Sequence, residues 1–305
     1  MKRNQILPAI LVIISSATFV AGQGCSDAGA CTIPSFRPSI ENMVSQKKNQ
    51  FNVGLSVGTA DHNIFVVTPL IGYSRKLGSS FSVDGQVTAA LHSGNGVTTS
   101  GPGDVFININ YLPSSKFSLT GGIKIPLSNG GRFYADDIVF PMDYQSSLGT
   151  LDLIAGIAYK SKGWQLNFAY QQPITQNDNQ FYPNAGSHPE SPFNDFPSSF
   201  GFERQGDILM HISRVILLND HLTFIPGLLP IYHLGKDGFY NNQDMFEDID
   251  GSEGLTLNAT LYSSIQMSDS GKLGINVGFP IIVRDVRPDG LTRSFVLGAE
   301  YSIAF

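Results

Sequence analysis

His211 and Ser213 are the residues whose types and spacing most resemble a catalytic pair. Two positions apart on a strand, they share one face, and a serine next to an imidazole is a potential nucleophile. That chemistry also needs a third group to orient the imidazole. The residues expected across the following hairpin, Ile225 and Pro226, orient nothing. A histidine beside a serine on a polar face is therefore preferred, and a lipid hydrolase ranks third among the functional readings. The loop Asp237 to Glu253 gathers Asp244, Glu247, Asp248, Asp250 and Glu253, but misses the ordered spacing of a calcium loop. It reads as a solvated charged loop. The six histidines fall into no metal-ligand pattern, so no metal or cofactor is expected. Cys25 and Cys31, the only cysteines, read as a short looped disulfide in an oxidising compartment.

The amino end supports that compartment. Lys2 and Arg3 precede an apolar run from Ile6 to Ala21, with small residues at Ala21 and Gly22. This is the pattern of an export signal over residues 1–22, cleaved after Gly22. The run is short for a spanning helix, which needs about 20 residues. Of 19 basic residues, 17 remain without Lys2 and Arg3, against 25 acidic, for a mature charge of −8. Such a balance argues against a nucleic-acid partner. Residues 23–50 are expected to form a periplasmic segment that either plugs the domain after it or leaves it open.

Residues 51–305 read as strands. With 14% charged residues and 32 glycines, the composition suits strands and turns. Period-two alternation marks twelve candidates, at Phe51–Gly58, Ile64–Arg75, Phe81–Leu91, Val105–Tyr111, Phe117–Ile125 and Leu151–Lys160, then Trp164–Tyr170, Asp207–Leu217, Leu222–Tyr232, Leu255–Ile265, Leu273–Val283 and a closing strand from Leu291 to Phe305. The closing strand alternates Phe295, Leu297, Ala299, Tyr301, Ile303 and Phe305 with Val296, Gly298, Glu300, Ser302 and Ala304. One set suits hydrocarbon and the other small or wet surroundings. Lengths near 10 residues fit tilted membrane strands. Short links such as Ser161–Gly163 alternate with long ones at His92–Gly103, Leu127–Gly149, Gln172–Gly206, Gly235–Gly254 and Arg284–Gly290. That one-sidedness predicts an all-β, transmembrane, antiparallel up-and-down barrel with short periplasmic turns and long extracellular loops.

The alternation also places site candidates. Asp84, Lys124, Asp152 and Glu300 fall on a lumen face that is otherwise small and neutral, predicting a solute path in preference to a packed polar core. Asp104, Asp152 and Asp207 follow glycine-rich turns at the outer rim. They form either an acidic ring or, the preferred reading, caps on local backbone amides. Pro126, Pro173, Pro230 and Pro280 recur about ten residues past a short turn, where pairing ends, while Pro69 and Pro226 lie deeper, as candidate kinks. Loop Gln172–Gly206 reads as a lid over the mouth or as a mobile segment.

Gly101-Pro102-Gly103-Asp104, the run Pro141 to Asp152, and strands ending in Ile-Pro, Gln-Pro or Phe-Pro resemble the outer-membrane transporter family named for the meta-pathway of phenol degradation. That family is similar to the long-chain fatty-acid porins. The resemblance implies passive, cofactor-free uptake of small hydrophobic or aromatic solutes across a Gram-negative outer membrane. It implies a role for Phe305 in presenting the closing strand to the barrel-insertion machinery. It also implies a lateral exit, in which solute slips between strands into the bilayer at a proline. The rival from another class is a structural or adhesive surface barrel acting through its long loops.

Overall fold

The computed structural model describes residues 36–38, 47–135, 138–183, 192–290 and 294–305. The export signal and Cys25–Cys31 lie outside these residues. The wall begins with β1 (Asn49–Thr59), β2 (Phe65–Lys76), β3 (Phe81–Gly94), β4 (Val97–Ser114) and β5 (Phe117–Pro126). A short hairpin of β6 (Phe133–Ala135) and β7 (Ile138–Val139) follows, and β8 (Asp152–Ser161) and β9 (Trp164–Pro173) resume the wall. It continues with β10 (Asp207–Arg214), extended by β11 (Ile216–Leu217), and β12 (Leu222–His233). After a second loop hairpin, β13 (Gly238–Tyr240) with β14 (Phe246–Asp248), come β15 (Gly254–Gln266), β16 (Gly271–Ile282) and β17 (Phe295–Ala304).

Each wall strand pairs antiparallel with its sequence neighbours. β1 meets β17 through pairs such as Phe51 with Ile303, so the sheet closes on itself. Because β11 prolongs β10 against β12, the closed wall is twelve strands round. Closure leaves no sheet edge, which the membrane interior requires.

The alternation of side chains decides which face meets lipid. From Trp164 to Gln171 the residues run exposed, buried, exposed, buried without a break. Val53, Leu55, Ile71, Ile107, Ile109 and Leu153 are among the exposed apolar side chains of the outer face. Aromatics gather at the end with the short turns: the Phe81 and Tyr111 rings stack at 4.8 Å, and Phe117 and Tyr159 form a tilted pair, also at 4.8 Å. Arg214 lies 5.1 Å from the Trp164 ring centre. An aromatic girdle of this kind belongs at a membrane–water interface. The two-residue turn between β8 and β9 puts both Lys162 (φ 51°) and Gly163 (φ 81°) in the left-handed region, the geometry that matches strand twist in such hairpins.

Two expectations need correction. His92–Gly103 is not a loop, because β3 and β4 run on past the other strands and turn at Asn95-Gly96, with φ of 50° and 77°. An Asn-Gly pair is a strong hairpin signal, and here it prolongs the strands beyond the others. Of the four prolines expected at strand ends, only Pro126 and Pro173 stand there. Pro230 lies within β12 opposite Leu257, and Pro280 lies within β16 opposite Asn258, beside a shift of register. Pro69 is interior to β2 opposite Leu55, and Pro226 interior to β12 opposite Leu261.

Candidate functional site

Inside the barrel the polar side chains are bonded to one another. Asp84 accepts from Asn108 Nδ2 and Asn110 Nδ2, each at 2.7 Å, and Thr120 Oγ1 donates to Asn110 Oδ1 at 2.8 Å. Lys124 Nζ lies 2.8 Å from Asp152 Oδ2 and donates to Thr150 Oγ1 at 3.0 Å, while Gln171 donates to the same Asp152 carboxylate. Asn108, Asp152 and Gln171 are fully buried, so water does not reach these side chains as it would in a wide aqueous pore. The lumen expectation therefore changes. The face is polar in part, but Phe106, Ile154, Leu209, Leu229 and Ile231 also turn inward and form one apolar cluster.

Part of that filling comes from before the wall. Phe36 packs into the same cluster, and Asn167 Nδ2 donates to its carbonyl at 3.1 Å. The neighbouring Arg37 reaches the other way, with Nη1 2.6 Å from Glu300 Oε2 on β17. Ile154 and Asn167 lie on β8 and β9, and β8 is six strands from β17 in either direction round the wall. Phe36 and Arg37 thus span the lumen, and some of the segment expected in the periplasm sits in the barrel.

The outer mouth is covered by a cap with its own core. Phe140, Tyr144, Phe181, Phe193 and Phe196 pack with Ile64 and Val66, and the Phe193 ring stands edge-on to Phe140 and Phe196 at 5.6 and 5.8 Å. Phe202, Met142 and Leu148 make a smaller group. The described part of loop Gln172–Gly206 is thereby a packed lid.

Beneath the cap runs a closed ring of six charged side chains. Arg204 pairs with Asp207, and Asp207 Oδ1 faces His233 Nδ1 at 2.7 Å. His233 Nε2 faces Asp237 Oδ1 at 2.7 Å, and Asp237 Oδ2 lies 3.8 Å from Arg284 Nη1. Arg284 Nη2 reaches Asp289 Oδ2 at 3.0 Å, and Asp289 returns to Arg204 Nε at 3.7 Å. A carboxylate oxygen stands at each nitrogen of His233, so the imidazole donates from both and is cationic. Three carboxylates then balance two guanidiniums and one imidazolium. All six side chains are buried. Burial opposes the charge of Arg204, but Asp207, Asp289 and Asp237 outweigh it and raise its pKa. Burial likewise opposes ionisation of Asp289, and Arg284 with Arg204 more than reverses that, lowering its pKa. The ring ties the loops after β9, β12 and β16 to the rim.

Of the residues singled out from sequence, Asp207 alone belongs to this ring. Asp104 accepts from Ser147 Oγ at 2.6 Å, and Asp152 holds Lys124 and Gln171. The rim aspartates are thus neither a free acidic ring nor simple caps of backbone amides. His211 Nε2 lies 2.9 Å from Thr260 Oγ1, not against Ser213. Ser213 pairs in register with Gly227, two places from the expected Ile225, and its buried Oγ has no hydrogen-bond partner. Arg204, His233, Asp237, Arg284, Asp289 and Phe36 were not picked out from sequence. The readable signal was that a chain so poor in charge keeps arginines in loops beside glycine-aspartate turns. Among the described residues no group of three or more His, Cys, Asp or Glu side chains is placed to hold a metal.

No protein-family model matches the chain, and no curated protein matches it in sequence. Among solved structures it is similar to an outer-membrane channel from Pseudomonas putida F1, with 14% identity over 88% of this chain and 99% of that one, at a TM-score of 0.57. The translocator domain of the autotransporter NalP from Neisseria meningitidis aligns at 10% identity over 91% of this chain and 93% of its own, with a TM-score of 0.48. The NanC porin aligns at 9% identity, 84% and 98% coverage, and a TM-score of 0.47. The fold is that of the outer-membrane β-barrels. With twelve wall strands, a lipid-facing apolar belt and nearly no helix among the described residues, the chain is a transmembrane barrel of that class.

Proposed function

We propose that this protein is an outer-membrane channel for passive uptake of small hydrophobic or aromatic solutes. The observation that supports it most is the apolar cluster of Phe106, Ile154, Leu209, Leu229 and Ile231 on an inner wall that a porin for hydrophilic solutes would keep wet. An interior of buried, mutually bonded polar groups under a bolted cap resists free diffusion of ions and sugars. Apolar solutes lose little by entering such an interior. The similarity to an outer-membrane channel accords with this reading through the fold alone.

The exit consistent with it is lateral. Between β10 and β12 the pairing runs from Asp207–His233 to Leu209–Ile231 and resumes at Ile212–Leu228. The lapse falls at Met210 and His211, across from Leu229 and Pro230. It recurs after Ser213–Gly227, across from Pro226, until Ile216 pairs Phe224. Proline has no amide hydrogen to give the ladder, so this seam is weakened at both places. Outer-membrane lipid is the partner there, and the closing strand β17 is the segment for the barrel-insertion machinery.

Planar-bilayer conductance and liposome swelling with the refolded protein test the reading. It predicts small, infrequent ion currents and little swelling in sugars. A steady, large conductance with rapid sugar entry would identify an open hydrophilic porin instead.

A further inference from the structure

The apolar cluster on the inner wall is occupied by an aromatic ring that is no part of the wall. Phe36 belongs to one apolar cluster with Phe106, Ile154, Leu209 and Leu229, and is itself buried. The wall makes room for that ring at Gly156, where a β-carbon would stand 2.2 Å from Phe36 Cε1. Its carbonyl is held as deliberately. Asn167 Nδ2 donates to it at 3.1 Å. Ring and carbonyl oxygen, joined through two saturated carbons, are thus each met by a different part of the wall.

We propose that this place is a solute-binding pocket and that Phe36 is a tethered stand-in for the solute. Phe36 itself defines the ligand class: a neutral aromatic compound whose carbonyl oxygen lies two saturated carbons from the ring, as in arylpropanoyl amides and ketones. A charged carboxylate fits less well, since the surroundings of the ring are apolar and burying an ion there is costly. The pocket rests on the channel reading above and adds the chemical class and the residues that select it. Phe36 and the solute compete, so the pocket is available only while Phe36 is unseated.

The test uses the full mature chain refolded in detergent, with folding verified by heat-modifiable migration, and 3-phenylpropanamide as probe in calorimetric titration. Phe36→Ala removes the competing ring, and with it the anchor that seats the backbone carbonyl against Asn167, so its affinity for the probe rises about tenfold or more, because apparent affinity scales with the fraction of open pocket. Phe36→Leu, which keeps an apolar anchor, gives a smaller rise and serves if the alanine variant fails to fold. In the Phe36→Ala background, Asn167→Leu abolishes the preference for 3-phenylpropanamide over propylbenzene while propylbenzene still binds. Unchanged probe affinity in folded Phe36 variants overturns the pocket. An equal gain for both probes that Asn167→Leu does not alter overturns the carbonyl class. Should cells gain no uptake of apolar solutes while Phe36→Ala binds the amide, the channel reading fails and the pocket stands. Uptake without any effect of Phe36 overturns the pocket and leaves the channel standing.

Discussion

Arg37 Nη1 lies 2.6 Å from Glu300 Oε2, joining residues 263 positions apart in the chain. The pair fastens the segment that carries Phe36 to β17, while Phe36 itself is held across the lumen by Asn167. A segment gripped on both walls is an obstruction in the barrel, and removing either grip weakens its hold.

Glu300→Gln or Arg37→Ala is therefore expected to raise channel opening. Both side chains are about one-fifth exposed, so the pair itself contributes modestly, about 0.2–1 kcal/mol. The barrel should fold normally while single-channel recordings show more frequent open events. Recordings identical to wild type would mean that the pair does not restrain the segment.

The charge ring under the cap behaves differently because it is buried. Removing one partner leaves an uncompensated ion, which typically costs about 3–5 kcal/mol. Arg284→Leu exposes the carboxylates of Asp237 and Asp289 to that penalty, and Arg204→Leu does the same for Asp207 and Asp289. Hydrogen exchange in the loops after β9, β12 and β16 should rise in both variants. Lys236→Ala, which breaks the solvent-exposed pair with Asp250, should change little. Equal effects from the buried and the exposed pairs would contradict the latch.

Asp143 sets a pH dependence in the cap. Burial pushes its carboxyl from an ordinary 3.8 up to about 7. Between these values the unfolded chain has released the proton and the folded cap retains it. Stability contributed here falls as pH rises, by roughly 1.4 kcal/mol per pH unit across that window, and levels off above the folded value. The expected result is a cap better protected from exchange at pH 5 than at pH 8, with Asp143→Asn flattening the difference. A wild-type cap that grows firmer from pH 5 to pH 8 would rule this out.

The lipid-facing assignment is tested at Ile109, which is 57% exposed on the outer face of β4. Arginine there should destabilise folding into lipid, by less than the about 2–4 kcal/mol it costs at a bilayer midplane because the girdle residue Tyr111 is two positions away. Leucine should be nearly neutral. Equal stability for the arginine and leucine variants, read from folding titrations into vesicles, would place Ile109 away from hydrocarbon.

The wall was legible in the sequence because its signal is local. Trp164 to Tyr170 alternates so regularly that the observed strand, Trp164–Pro173, differs only at its far end. What β-alternation could not resolve were stretches apolar on both faces. In β8 Leu153 faces lipid and Ile154 the interior, and in β10 Leu209 turns inward, so the apolar inner cluster was invisible by pattern. The cap was unreadable for a different reason. Phe181, Phe193 and Phe196 follow no period, and loop residues pack by tertiary contact alone. The charge ring draws its members from separate strands and loops, from Arg204 to Asp289, and only closure of the barrel brings them together. In the sequence Asp207 stands out by its neighbour Gly206, and its partners Arg204 and His233 carry no such mark.

The central claim is passage of apolar solutes through a barrel that resists polar ones. Its most direct test is initial uptake by intact, porin-depleted Gram-negative cells producing the protein, compared with cells lacking it, since their lipopolysaccharide leaflet slows hydrophobic compounds that would cross a plain bilayer unaided. Radiolabelled propylbenzene and sucrose are followed in parallel. Severalfold faster propylbenzene entry with sucrose entry unchanged is the expected result. Sucrose entering as readily as propylbenzene, or neither entering faster than in cells without the protein, would contradict it.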